Sequence, residues 1–240
     1  MVAVSGDLTQ RARRQEFERA RMFLDALPGP QIVVPGNHDV PSHNLLARFG
    51  GALDNYRRYI SEDLEPFYSD DEIAILGLNT ARSMTIKGGR VNGEQIQRVE
   101  EKLCGSDGMV RILVTHHPFD LPAHFDARHL VGRARKAMRR FARCGVDLFL
   151  AGHFHVTHCG PTAERYELGG YSAIFVQAGT ACSTRGRGEP NSFNVIRAER
   201  GKVTIETCAL DVSGSFRSVA MDEFRREERG WSRASGIPPG

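Results

Sequence analysis

Short apolar runs along this chain alternate with stretches whose apolar residues recur every three or four positions. Val2–Val4 is a short run closed by Ser5-Gly6-Asp7, which reads as a buried strand and a turn. From Thr9 to Leu27, the residues Phe17, Ala20, Phe23, Leu24 and Leu27 recur at helical spacing with arginines between them, and Pro28-Gly29-Pro30 ends the helix. Gln31–Val34 reads as a second strand, broken by Pro35-Gly36. Such a strand–helix–strand unit implies parallel pairing with a right-handed crossover. Val40 to Phe67 predicts a long excursion with a helix around Leu53–Ile60. Strands are then expected at Ile73–Leu78, Val110–Thr115 and Val146–Ala151, and helices at Gly93–Cys104 and Val131–Arg143. Beyond residue 151 the pattern turns β-rich. Ala173–Ala178, Ser192–Ala198 and Val203–Leu210 read as strands, the last two joined by a turn at Glu199-Arg200-Gly201. After about Val219 the chain is charged and then Gly/Ser/Pro-rich, which predicts fraying. The expected organisation is one α/β domain over residues 1–218 and a flexible tail over 219–240.

Composition narrows the class without naming it. With 240 residues, 40% of them hydrophobic and 13 of them Phe, the chain can bury a core and is not a disordered segment. No apolar run approaches the roughly 18–20 residues that span a bilayer, and the first residues carry no basic stretch of a secretory signal. The reading therefore expects no membrane partner. Five scattered cysteines, never in a C-x-x-C pair, suggest neither a disulfide framework nor a thiolate zinc site, and a reducing cytoplasm is expected. Net charge is a mild +3. Arginines cluster at Arg11–Arg21 and Arg133–Arg143, but the single aromatic residue in each, Phe17 and Phe141, makes no interleaved pattern for base stacking, so solvated helix faces explain them better than nucleic acid does.

Candidate chemistry sits at the ends of predicted strands. Gly6-Asp7, Gly36-Asn37-His38-Asp39, His116-His117 and Gly152-His153-Phe154-His155 each follow one immediately. Taken singly, a Gly-Asp turn or a pair of histidines is commonplace. Four strands delivering Asp, Asn and His to one carboxyl edge would build a single site from distant residues, and that edge is where parallel sheets bind ligands. Carboxylate, amide oxygen and imidazole without thiolate suit Mn, Fe or Zn. His153 and His155, two apart on one extended segment, could each face a different metal.

The order Gly-Asp, Gly-Asn-His-Asp, His-His-Pro, Gly-His-x-His resembles the calcineurin-like metallophosphoesterases, and most nearly the bacterial branch of class III cyclic nucleotide phosphodiesterases. The resemblance runs from Val2 to about Leu210. It implies a four-layered α-β-β-α sandwich, two packed mixed sheets flanked by helices, with a two-metal site. By that resemblance Asp7 bridges both metals, Asn37, His116 and His153 complete the second, and His155 binds the first. His38 would stabilise the phosphoryl group or protonate the leaving oxygen, oriented by Asp39. Candidate substrate contacts are Asn79, Thr80 and Arg82 after the Ile73–Leu78 strand, with His117 and Arg185. His43, His124 and His129 are expected to be structural or exposed, and His158 to be a surface or substrate-side residue.

One departure stands out. The family pattern opens with Asp-x-His on a preceding strand, and no such motif precedes Gly6-Asp7 here, so the first of the two metal positions is incomplete in this chain. Either an upstream strand–helix unit of about 30–45 residues is lacking from the sequence, or the protein truly lacks that unit and holds one metal or none. The first fits better, since an absent central strand leaves unpaired edges while the remaining constellation is intact. The expected function is metal-dependent hydrolysis of small phosphodiesters, cyclic nucleotides or similar, in a bacterial cytoplasm. Alternatives are a catalytically impaired scaffold and, less favoured, a nuclease. A homodimer is left open.

Overall fold

A computed structural model describes residues 1–41, 51–82, 88–106, 108–122, 125–183, 188–228 and 230–234. Strand β1 (Val2–Val4) pairs in parallel with β2 (Gln31–Val33) across helix α1 (Arg14–Asp25), as the strand–helix–strand pattern requires. Helix α1 starts where Glu16 accepts the backbone N–H groups of Arg11 and Arg13, each at 3.0 Å, which satisfies donors at its open end. Phe17, Ala20 and Leu24 face inward from it. Helix α2 (Asp54–Tyr59) lies beside α1, and its buried Tyr56 donates to the Val33 carbonyl at 3.0 Å.

Six strands form the main sheet: β3 (Phe67–Ser69), β4 (Ile73–Leu78), β5 (Val110–Thr115), β6 (Leu148–Ala151), β7 (His158–Pro161) and β8 (Ile174–Gln177), in the order 3-4-5-6-8-7. The pairs β4–β5, β5–β6 and β6–β8 are parallel, whereas β3 and β7 close the edges antiparallel. One face is covered by α3 (Gly93–Leu103) and α4 (Ala134–Arg143), which contribute Ile96, Val99, Met138 and Phe141 to a continuous apolar cluster. Asn92 and Gln95 cap α3 reciprocally, at 2.8 and 3.0 Å. The other face packs Ile75, Ile112, Val114 and Ile174 against Ile32 and Val34 near β2, and against Val203, Ile205, Phe224 and Trp231. Those last four belong to an antiparallel sheet of β9 (Ser192–Glu199), β10 (Lys202–Leu210), β11 (Phe216–Glu227) and β12 (Gly230–Arg233), in the order 12-11-10-9. Helices α1 and α2 back the β1–β2 pair through Phe17, Leu24, Val33 and Tyr56. The helix–sheet–sheet–helix sandwich is thus present.

Two expectations are corrected. Residues past Val219 do not fray up to Ala234: they run through β11 and β12, and Trp231 is buried with its indole N–H on Asp147 at 2.8 Å. Charge misled the reading, because β11 exposes most of its polar side chains and buries Phe224 alone. Cys104 and Cys144, 40 residues apart, form a disulfide joining the ends of α3 and α4. The packing of those helices creates the pair, and it removes the ground for expecting a reducing compartment. Among the described residues no helix is long and apolar enough to cross a membrane.

Candidate metal centre

Two of the four site segments leave their strands through an unusual backbone. Asp7, His153 and His155 adopt φ of +57°, +80° and +60°. Left-handed backbone is uncommon outside glycine and costs on the order of 1 kcal/mol or more per residue, so it persists where surrounding structure imposes it. Gly6 (φ +90°) lets the first turn approach the second: a Cβ there would meet the Gly36 backbone nitrogen at 2.7 Å and the His116 ring at 2.8 Å. The buried Gln177 side chain on β8 donates to the Gly152 carbonyl and holds the fourth turn.

These turns bring four donor atoms together. Asn37 Oδ1 lies 3.0 Å from His116 Nε2 and 3.0 Å from His153 Nδ1. The two imidazole nitrogens are 3.2 Å apart, and Asp7 Oδ1 is 3.3 Å from His116 Nε2. His116 turns its other nitrogen, Nδ1, to the Ser5 carbonyl at 2.7 Å. A carbonyl only accepts, so Nδ1 carries the ring proton and Nε2 presents a lone pair. That lone pair faces a carboxylate oxygen and an amide oxygen, which also only accept. His153 is held neutral, its pKa pushed down to about 3 by burial and then by His116. The His116 Nε2 lone pair set against the Asp7 and Asn37 oxygens is unfavourable unless a cation lies among them. Separations of 3.0–3.3 Å suit donors sharing one ion at bonds of about 2.0–2.2 Å, and a second imidazole nitrogen bonded to a backbone carbonyl is the usual outer support of a metal ligand. The residues fit a divalent transition metal.

His117 joins this group in a way the sequence did not indicate. His116, His117 and His153 bring ligand atoms within 4.8 Å of one another, and the His117 and His153 rings are 4.7 Å apart. His117 is 1% exposed, with Nδ1 on the Thr80 hydroxyl at 2.9 Å, so it is buried against the ligands and not on a surface that substrate meets. His155 turns Nδ1 to the Thr180 hydroxyl at 2.6 Å. His38 directs its backbone N–H to Asp7 Oδ1 at 3.0 Å and its Nδ1 to the Gln10 carbonyl at 3.0 Å.

Asp39 does not take up the expected orienting contact. Its buried carboxylate accepts the backbone N–H groups of Thr9 and Gly36, at 2.9 Å each, and the Thr9 hydroxyl at 3.0 Å. It fastens the first two turns to each other, and the Gln10 carbonyl orients the His38 ring instead. Burial and the nearby Asp7 push the Asp39 carboxyl up to about 7. Asn79 and Arg82 also turn elsewhere. The Asn79 side-chain oxygen accepts the Ala81 backbone N–H at 3.0 Å, and the Arg82 guanidinium donates to Gln95, in a cleft shared with Glu65 and Arg98. Arg185, like His43 and His124, lies outside the described residues.

The family described as calcineurin-like phosphoesterase matches residues 1–157, which include every turn of this centre. The chain belongs to the calcineurin-like phosphoesterase family. Over 118 residues it is 30% identical to a probable cyclic nucleotide phosphodiesterase of Synechococcus sp., a match covering 49% of this chain and 42% of that relative. Fold neighbours among solved structures include PhoD (TM-score 0.68, 11% identity, 95% of this chain and 60% of that one). A purple acid phosphatase from yellow lupin superposes at TM-score 0.66 with 13% identity, over 95% of this chain and 47% of that one. A dimetal phosphatase from Danio rerio does so at 0.59 with 16% identity, over 85% and 79%. At such identities these neighbours show the fold of the family.

Proposed function

We propose that this protein hydrolyses phosphodiesters, with a cyclic nucleotide or a similar small diester as substrate, at a dinuclear metal centre. The observation that carries the reading is the set of four mutually facing donors, Asp7, Asn37, His116 and His153. Those four residues would hold one ion, and Asp7 with His155 would contribute to a second. Metals so held supply Lewis-acid stabilisation of phosphoryl oxygens and a bound water of lowered pKa.

The chain's own groups supply the rest. The Ser5 carbonyl keeps the His116 proton on Nδ1, so Nε2 stays available as a ligand. With Nδ1 of His38 donating to the Gln10 carbonyl, its Nε2 is left for the substrate, and it would give a proton to a departing oxygen when the ring is an imidazolium with both nitrogens protonated. The Synechococcus relative favours the cyclic nucleotide class within the diesters.

The test is hydrolysis of bis(p-nitrophenyl) phosphate by the 240-residue chain with added Mn²⁺, read beside metal content. Metal-dependent turnover supports the reading. Folded protein that binds metal without turnover favours the scaffold. His38→Ala is expected to lower turnover by about a hundredfold, the range of a lost general acid, with metal content retained. Loss of metal in that variant would refute the assignment of His38.

A further inference from the structure

Most of the molecule's aromatic rings pack in its cores. Phe119, Phe149 and Phe141 of α4 sit 5.5–6.3 Å apart and are buried. A second aromatic group behaves differently. Phe154, between the two histidines of the Gly-His-Phe-His turn, meets Phe125 at 5.3 Å and His129 at 5.7 Å, edge to face in both cases. Its ring is also 5.1 Å from the His153 ring. Neither Phe125 nor Phe154 belongs to any of the three apolar clusters; both are half-buried, and His129 is exposed. The rings of His153, Phe125 and His129 gather on Phe154, which links the candidate ligand His153 to the exposed His129. Left-handed backbone on either side of Phe154, at His153 and His155, fixes this placement.

Half-exposed phenyl rings beside a charged, metal-binding centre lose apolar burial that a core position would give them. Bases of nucleotides stack on such rings whatever their identity, because every base has a π-face. We propose that Phe154, Phe125 and His129 form an aromatic wall that stacks the nucleobase of the substrate while its phosphoryl group lies at the metal centre. This rests on the hydrolase reading and names the residues that select the group attached to phosphorus.

The test compares two ligands that differ by the base alone. Binding of AMP and of ribose 5-phosphate to the Mn²⁺-loaded protein is measured by calorimetry, which requires no turnover, for wild type, Phe125→Ala and Phe154→Leu, with metal content recorded for each. AMP is expected to bind the wild type about tenfold or more tightly than ribose 5-phosphate, and Phe125→Ala to reduce that advantage by about fivefold or more while ribose 5-phosphate binding and metal content stay unchanged. Phe154→Leu, which keeps apolar bulk and loses the ring, is expected to do the same. Equal affinity of the two ligands for the wild type overturns the wall. So does an AMP advantage untouched by both variants, or a failure of AMP to bind a protein that still hydrolyses bis(p-nitrophenyl) phosphate. Absence of that hydrolysis is a separate result against the hydrolase reading, and the binding comparison still decides the wall.

Discussion

The strand-terminal turns and the β9–β12 sheet solve opposite problems. At the turns, left-handed backbone falls on Asp7, His153 and His155, and lone pairs are aimed at one another. In the described part of residues 192–234, left-handed backbone falls on Gly214 and Gly230, where it costs little, and charges are matched across strands, as in Arg197–Glu206 at 3.0 Å and Lys202–Glu223 at 2.8 Å. The sheet is fastened through Asp147, whose buried carboxylate meets the Trp231 indole at 2.8 Å, the Arg226 guanidinium at 3.0 Å and the Arg111 backbone N–H at 2.9 Å. One region accepts strain to position ligands; the other spends its side chains on cohesion. Separate substitutions should therefore separate activity from stability.

The largest effect belongs to His153→Ala. It is expected to lose the bound metal and to lower turnover by about a thousandfold or more, matching the several kcal/mol of charge stabilisation a cation supplies. Metal analysis and diester hydrolysis check this, and a variant that keeps both would break the contrast. Trp231→Ala is the converse. Removing this indole is expected to cost about 3–5 kcal/mol in denaturant unfolding while turnover of the folded fraction stays near wild type.

A third prediction carries the contrast into pH. Asp120 is buried against Arg165 at 2.7 Å, yet burial outweighs that contact and lifts its carboxyl to about 6. The folded state then holds the proton more tightly than the unfolded chain. Its contribution is present in full below about pH 4 and is lost as pH rises through about 6, a change of about 1–3 kcal/mol. Unfolding of wild type and Asp120→Asn between pH 4 and 8 should show the wild type's relative stability falling with pH; a rising one would reverse the assignment. The smallest effect is at His153 itself. Metal-free His153→Gly should be more stable than His153→Ala by about 1 kcal/mol, since glycine relieves the left-handed backbone. Equal melting temperatures would mean that the turn relaxes.

Much of this architecture is written locally. β1, β4 and β5 match their apolar runs residue for residue. β4 and β5 do so as buried parallel strands, hydrophobic on both faces and ending at polar turns, whereas β1 is not buried as its apolar run suggested, with Ala3 exposed and Val2 and Val4 half-buried. β7 was not legible, since His158-Cys159-Gly160-Pro161 has neither alternation nor strand-forming residues and is an edge strand made by its neighbour. β12 depends on Trp231 reaching Asp147, a contact across 84 residues that no local pattern announces. At the site, residue types and their strand-terminal positions marked Asp7, Asn37, His116 and His153. Partnerships were another matter. That Asp39 serves Thr9 and Gly36, that Ser5 fixes the His116 tautomer, and that His117 lies against His153 follow from how separate turns nest in space.

The Asp147 anchor also bears on how the protein is made. Asp7 leaves the ribosome before the Gly-His-Phe-His turn, and Arg226 and Trp231 emerge after both. Because domains fold during translation from the N-terminal side, the strand-terminal turns can gather before the sheet behind them is fastened. For that interval Asp147 has no indole or guanidinium to meet, and the apolar face carrying Ile75, Ile112 and Ile174 lacks its cover. A nascent chain stalled short of Trp231 is accordingly the form of this protein most exposed to aggregation and most in need of a chaperone.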